Sequence, residues 1–600
     1  MNSSLAQENA ACAPPAGKYA ALLRWLPTIL IVAAALGYYG SYLRYWFNPH
    51  DEGGTVCLIA QRLMQGERPW VDVALGYNVG WFYPLVGLFH LTGVDYLAAR
   101  AFFFALSTLT ALLGCGIVTR LSGSRWLGLG VGLVLVALPG SQFKNYIPLA
   151  AMANTACLLH LLSVDFAARR KWFAAVALGG LVLGLTMLVR VEIAIFFTVI
   201  WALLLLLLLL DKRLALAQRA KHMALGAALL AAVVCAVHVP PYLYLRTLGV
   251  ESMLLEQVPA WLRALSGGVT AQISAAAKPA LAPAVAPAVS VANEPAKAVP
   301  AATDRSILLR RPLAHIWSHV GLWNRVLAFL TYAPLAGFGI FFLAGVFGFA
   351  RRVLQGEFTL AERPLKWLLL IGGSLSTFPQ FFFFRPDRPH LSEFMPGYIL
   401  AMVGCMVLLR PRGEKCSRPQ ILLTSAFAAF LLVHLAAFAA FAFQHASAGT
   451  AAARTGRKTP FAAENGVAVR ASKKEAASLT IIRDAVLTHS RPEDFLICFP
   501  YNPGYNLMTN RRTYVHNVYV DNATHDAGWI ARTIREFEEK KPAMVIIDDR
   551  AINQNAASRF SHWAAPVHDY VKIHYARIAE IKSATSTIHV FAKSFAPIAP

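Results

Sequence analysis

Charge is the scarce commodity in this sequence. Only 14% of the 600 residues are Asp, Glu, Lys or Arg, against roughly a quarter in ordinary soluble domains. Hydrophobic residues make up 57%, and mean hydropathy is +0.50. Acidic residues are the scarcest, 32 Asp and Glu against 55 Lys and Arg. The eight cysteines are scattered and form no CxxC pair, which argues against a disulfide framework or a structural zinc site. No basic-aromatic module for nucleic acid is present. The net charge of +23 comes instead from Lys and Arg in short loops between apolar runs, as the positive-inside rule requires. Nucleic acid is therefore not an expected partner; membrane lipid is.

What is abundant is long apolar sequence. After a polar tail (1–20), expected in the cytoplasm, runs near 20–42, 97–119, 126–143, 148–164, 172–189, 191–210, 222–245, 328–350, 366–384, 394–410 and 421–443 approach or reach the ~17–25 residues of a spanning helix. The first is too long for a signal-peptide core and reads as an uncleaved span. The run 77–92 is short, with Pro84 and several glycines, and reads as an in-plane or re-entrant helix. The basic loops 167–171, 211–221, 351–366 and 410–418 are placed inside, which puts loop 44–96 and the C-terminal region outside. The expected fold is a polytopic α-helical membrane protein of about 11–13 spans over 21–445. An Ala/Pro-rich linker (270–305) lies in an outer loop. From about 470 to 600 the pattern changes: "DFLICFP" and "AMVIIDD" read as buried strands, "ASLTIIRDAVLTH" and "WIARTIREFEEKK" as amphipathic helices. This is a small extramembrane α/β domain.

The stretch "NPHDEGG" (48–54) places two carboxylates directly after the first span. Val56, Ile59, Ala60, Leu63 and Met64 then follow helical spacing, with Gln61 and Arg62 off the stripe. The helix is expected to lie on the membrane, apolar face down, with Asp51 as its N-cap, and to end at Gly66 before Pro69. The residues Asp51, Glu52, Gly53, Ala60, Gly66, Pro69, Trp70 and Asp72 resemble the first outer loop of the GT-C superfamily of membrane glycosyltransferases. That superfamily includes dolichyl-phosphate-mannose protein mannosyltransferases and lipid A aminoarabinose transferases. The likeness covers roughly the first 200 residues and "RPDRPHLSEFMP". It implies a GT-C-like fold and a catalytic carboxylate in this loop. Two family features are missing: an acidic residue in loop 139–154, which offers Lys144, Asn145 and Asn154 instead, and the "WWD" signature of oligosaccharyltransferases.

The chemistry fits a carboxylate. A phosphate leaves without protonation when cations stabilise it, and a hydroxyl acceptor needs a general base as it attacks the anomeric carbon. The expectation is an inverting transfer of a sugar from a polyprenyl-phosphate donor to a glycan, lipid or protein acceptor. The active site would face the periplasm from a bacterial inner membrane. Asp51 is the expected base and Glu52 the second choice. Arg190, Arg385, Arg388 and Lys144 are the donor-phosphate ligands, and Asp72, His50, Asp387 and His390 position substrate. Arg190 and Glu192 of "LVRVEI" stand two apart, a spacing that does not pair on a helix. "FPYNPGYNLMTNRR" (499–512) has the Tyr and Asn content of an acceptor contact. No cofactor is identified; a divalent metal on His50, Asp51 and His390 is conceivable but lacks support. The rival class is a transporter or lipid flippase, which calls for inverted repeats or mid-membrane broken helices; no internal repeat is evident. A third alternative is an inactive relative serving as a scaffold.

Overall fold

A computed structural model describes the chain except residues 1–19, 139, 141, 165–167, 212–214, 257–320, 356–362, 379–387, 410–417, 444–453, 455, 521–527, 552–555, 584–585 and 594–600. The linker 270–305 lies outside the described residues.

Every expected span falls on a helix: α1 (Ala20–Gly40), α4 (Tyr96–Ser122), α5 (Arg125–Ala137), α6 (Tyr146–Ser163), α7 (Arg169–Val189), α8 (Val191–Leu207), α9 (Leu216–Thr247), α10 (Leu322–Leu354), α11 (Arg363–Leu375), α12 (Arg388–Leu409) and α13 (Arg418–Phe443). Six helices among the described residues are long and apolar enough to cross a membrane. Their outward side chains, such as Leu185, Val199, Leu203 and Leu206, stay apolar, as contact with lipid requires. The chain is a polytopic membrane protein. The 77–92 run forms α3 (Val79–Thr92), too short to span.

The loop after α1 departs from the expected cap. The helix starts at Asp51 as a π-helical segment (Asp51–Leu58), continuing as α2 (Ile59–Met64). The oxygen that meets the free N–H groups belongs to Asn48: its Oδ1 accepts from His50 N and Asp51 N, each at 3.1 Å. Asp51 is thereby released from capping. The helix ends as expected, with Gly66 at φ +92°, a conformation that favours glycine.

The second departure concerns the polar face of α2. Gln61 and Arg62 are buried, at 5% and 3% exposure, because the C-terminal domain covers them. Arg62 donates to Val515 O (2.7 Å), and Gln61 Nε2 donates to Asn510 Oδ1 (3.1 Å). The helix is a sandwiched layer rather than a float on lipid. A period of 3.6 shows which face is apolar but not what covers the other.

The C-terminal domain begins with the hairpin β1 (Thr459–Ala462) and β2 (Ala468–Ala471), earlier than composition suggested. Helix α14 (Lys473–His489) opens on a Ser472–Glu475 capping box. Helices α15 (Gly504–Thr509) and α16 (Trp529–Lys540) flank strands β3 (Leu496–Phe499), β4 (Met544–Asp548), β5 (Tyr575–Lys582) and β6 (Thr587–Lys593). The sheet order is β3-β4-β6-β5, parallel only between β3 and β4. Alternate residues divide between two cores. Ile497, Phe499, Val545 and Ile547 face a cluster with Trp529, Phe537 and Phe560. Leu496, Cys498, Met544 and Ile546 join a core continuous with the membrane helices. Backbone bonds complete the junction: Trp46 N to Arg470 O (2.9 Å), Ala74 N to His516 O (2.7 Å) and Tyr96 N to Asn465 O (2.9 Å). The domain and loop 44–96 therefore share one face.

One buried ion pair anchors that loop. Glu52 Oε2 accepts from Arg100 Nη2 at 2.5 Å and from Tyr96 OH at 2.6 Å. The remaining Arg100 donors reach the carbonyls of Leu43, Tyr45 and Trp46 at 2.9–3.0 Å. Removing one partner of such a pair strands the other charge. Arg100→Met should cost about 3–5 kcal/mol of stability. The Glu52→Gln/Arg100→Met double variant should cost less than the two single changes summed, as read by denaturant unfolding in detergent. Strict additivity would mean that the pair is not coupled.

Candidate active site

Four separate segments converge on the face that carries Asp51. The π-helical segment brings Asp51 itself, whose side chain is 44% exposed. The α5–α6 turn brings Lys144, the α7–α8 break brings Arg190, and the first turns of α12 bring Glu393. The Tyr77 ring, in the loop before α3, lies beside Arg190. It stacks on Trp81 (4.1 Å between centroids, 13°) and lies under the Arg190 guanidinium at 5.4 Å. Trp81 in turn contacts Tyr146 at 5.1 Å. Trp81 Nε1 and Tyr146 OH are buried without a hydrogen-bond partner among the described residues. Buried orphans of this kind call for an explanation, and a polar ligand supplies one.

Local sequence explains the convergence. Arg190 stands in extended conformation (φ −148°, ψ 104°) between two helices. Its N–H closes α7 on Thr186 O (2.7 Å), and its carbonyl accepts from Ala194 N (3.2 Å) to open α8. Asn78 caps α3 through Val79 N (2.8 Å) and donates to Met187 O (3.1 Å). A side chain at Gly80 would meet Leu188 O at 2.7 Å, so glycine lets α3 approach the break.

The break also corrects the reading of Arg190 and Glu192. Because Arg190 is not helical, their side chains meet after all, Nε to Oε1 at 3.2 Å, in ion-pair range without hydrogen-bond alignment. Lys144 pairs with Glu393 at 2.9 Å, Glu393 being 4% exposed. The acidic partner that loop 139–154 lacks is thus supplied from α12. The pair with Glu192 does not exhaust Arg190, since guanidinium has five N–H donors. Asn145 donates to Phe103 O (3.0 Å), and Asn154 donates to Thr186 Oγ1 (2.7 Å), so both serve packing.

The two carboxylates of the motif separate in role. Glu52 is consumed by Arg100 and Tyr96, whereas Asp51 meets only Asn48 Nδ2 at a long 3.5 Å and His50 Nε2 at 3.7 Å among the described contacts. Arg385 and Asp387 lie outside the described residues. Arg388 and His390 begin α12, but their side chains fall outside the description. Among the described residues no group of three or more His, Cys, Asp or Glu side chains gathers to hold a metal ion. Sequence reasoning missed Arg100, Glu393, Asn48 and Tyr77. Arg100 alone carried a signal, as a lone charge inside "YLAARAFFF".

Asp72 is bound up with its own turn. Both oxygens take Arg68 (2.8 Å each), and Oδ2 also accepts Arg68 N (2.8 Å). The Arg68 hydrogen bonds hold its pKa down to about 2. A depressed carboxylate contributes above its ordinary range and loses that contribution only as pH falls toward about 2. The pH profile of Asp72→Asn should therefore superimpose on that of the wild type between about pH 5 and 8. A limb that disappears in the variant would show Asp72 titrating in the reaction.

Neither a family model nor a curated protein matches the chain. Among solved structures, the archaeal oligosaccharyltransferase AglB from Archaeoglobus fulgidus, in complex with an inhibitory peptide and a dolichol-phosphate, is similar at TM-score 0.48 and 12% identity, over 96% of this chain and 75% of that one. ArnT from Cupriavidus metallidurans in the apo state is similar at TM-score 0.44 and 16% identity, over 95% and 98%. The same protein bound to undecaprenyl phosphate gives 0.38 and 14%, over 94% and 97%.

Proposed function

We propose that the protein is a membrane glycosyltransferase that moves one sugar from a polyprenyl-phosphate donor to a hydroxyl of a glycan, lipid or protein acceptor. The observation that carries this reading is a half-exposed carboxylate, Asp51, on a helical segment that packs against the turn bearing Lys144, with Arg190 over the ring of Tyr77 in the same loop. The cations suit a phosphate leaving group.

In the proposed step the acceptor hydroxyl gives its proton to Asp51 as its oxygen attacks the anomeric carbon. The anomeric C–O bond to phosphate breaks, and the electron pair leaves with the polyprenyl phosphate. Lys144 and Arg190 stabilise that charge, and Arg385 and Arg388 are further donor-phosphate ligands in this reading. A single displacement inverts the anomeric centre. The outer face is periplasmic in this reading, and the membrane is a bacterial inner membrane.

Asp51→Asn keeps the side-chain shape but removes the base. It should lower kcat by about 100-fold or more, with membrane insertion and unfolding temperature unchanged. Normal turnover by this variant would refute the assignment. Arg190→Gln should raise the KM for donor more than it lowers kcat, as measured with labelled lipid-phosphate sugar.

A further inference from the structure

The contact between His50 and the C-terminal domain fixes a proton. His50 Nδ1 lies 2.6 Å from the main-chain oxygen of Tyr501. A carbonyl oxygen can only accept, so Nδ1 carries the hydrogen. In the neutral ring Nε2 is then the basic atom, and it faces Asp51 Oδ1 at 3.7 Å. An imidazole lone pair and a carboxylate oxygen are both acceptors. Set against each other, they are one proton short of a hydrogen bond.

The Tyr501 carbonyl is itself held firmly. Asn502, 3% exposed, donates to Asp548 Oδ2 at 2.6 Å, and Asp548 is fully buried at the end of β4, where it also meets Ser586 Oγ and Arg550. Gly504 N donates to Pro49 O at 2.8 Å. A side chain at Gly504 would meet Pro49 Cα at 2.6 Å, and one at Gly54 would meet Pro503 Cγ at 2.8 Å. The two backbones touch, and glycine is what permits it. Among the described residues, the groups facing the His50 ring are Asp51 from its own loop and the Tyr501 and Tyr519 rings from the domain, at 6.0 and 5.2 Å between centroids.

We propose that His50 is the positioning residue of the reaction and its terminal proton acceptor, held in the Nδ1–H form by the C-terminal domain. This rests on the glycosyl-transfer reading above. The acceptor O–H proton goes first to Asp51 and then to His50 Nε2, leaving an imidazolium–carboxylate pair. No other reactant is consumed, and the proton leaves to solvent after product release. The 3.7 Å separation closes as the proton arrives, since catalytic hydrogen bonds are often long before substrate binds. The segment 499–512 thereby gains a role different from acceptor contact: it sets the tautomer of the histidine beside the base.

Asn and Gln substitutions separate the two ring nitrogens. His50→Asn places an amide N–H near Nδ1 and keeps the tie to Tyr501, but has nothing at Nε2. His50→Gln places an amide near Nε2 that cannot take up a proton. Assayed as purified full-length protein with a turned-over polyprenyl-phosphate sugar, His50→Asn should lose about 100-fold in kcat, with donor KM unchanged. The acid side of its kcat–pH profile should also change shape, because only Asp51 is left there to take up the proton. If His50→Asn matches the wild type in kcat, or if the acid side of its profile superimposes on the wild type's, the ring is only a structural tie and the proposal is overturned. Should His50→Asn fail to fold, His50→Gln is read the same way, and a wild-type kcat or acid side overturns the proposal. Asp51→Asn, run in parallel, separates the two claims. An inactive Asp51→Asn beside a normal His50→Asn sinks only the proton route, while an active Asp51→Asn sinks the glycosyl-transfer reading itself.

Discussion

The Glu52–Arg100 ion pair is the constraint on which the face carrying Asp51 depends. It joins the loop after the first span to the start of α4 and draws in Tyr96 and three loop carbonyls. Burying two charges is costly, and the cost is recovered only when every donor finds an oxygen. Here Arg100 does, which fixes the turn to one geometry. With Glu52 locked inward and Asn48 taking the capping duty, Asp51 is the carboxylate left facing outward. Two adjacent acidic residues thus have divided functions, one structural and one available to chemistry.

The C-terminal domain is the second support. One face of its sheet belongs to the same core as the membrane helices, and its loops cover the polar side of α2. A domain docked in this way does more than shape an entrance. It sits against the residue before the proposed base, so a shift of strand β4 or of the Tyr501 loop bears directly on Asp51. The cations across the face behave similarly: Lys144 and Arg190 are each oriented by a carboxylate contributed at a helix start, which arranges them before any ligand binds.

Much of this was legible in the sequence, for reasons that differ by element. Apolar length alone located the spans, because lipid permits no other spanning element in such runs. The strands "LICF" and "MVIID" were visible because buried strands are continuously apolar, and α16 because its stripe is strong. The start of the next helical segment at Asp51 is legible from the break in apolar sequence after the first span. What stayed hidden were partners distant in sequence. Nothing local in "IAQRLM" announces that Gln61 and Arg62 are covered by residues some 450 positions away. Nothing in "LVRVEI" shows that Arg190 leaves the helix, so helical spacing excludes a pair with Glu192 that the break makes possible. Glu393 was passed over in the same way, because its role exists only through Lys144.

The central claim is that this face performs glycosyl transfer, and consumption of donor tests it most directly. Purified wild-type protein in detergent or vesicles would be incubated with a panel of radiolabelled polyprenyl-phosphate sugars, following release of label from the lipid. The account predicts that at least one donor is consumed, with inversion at the anomeric carbon of the product. Consumption of none, together with substrate-driven movement of lipid or solute across vesicles, would contradict it and identify a transporter.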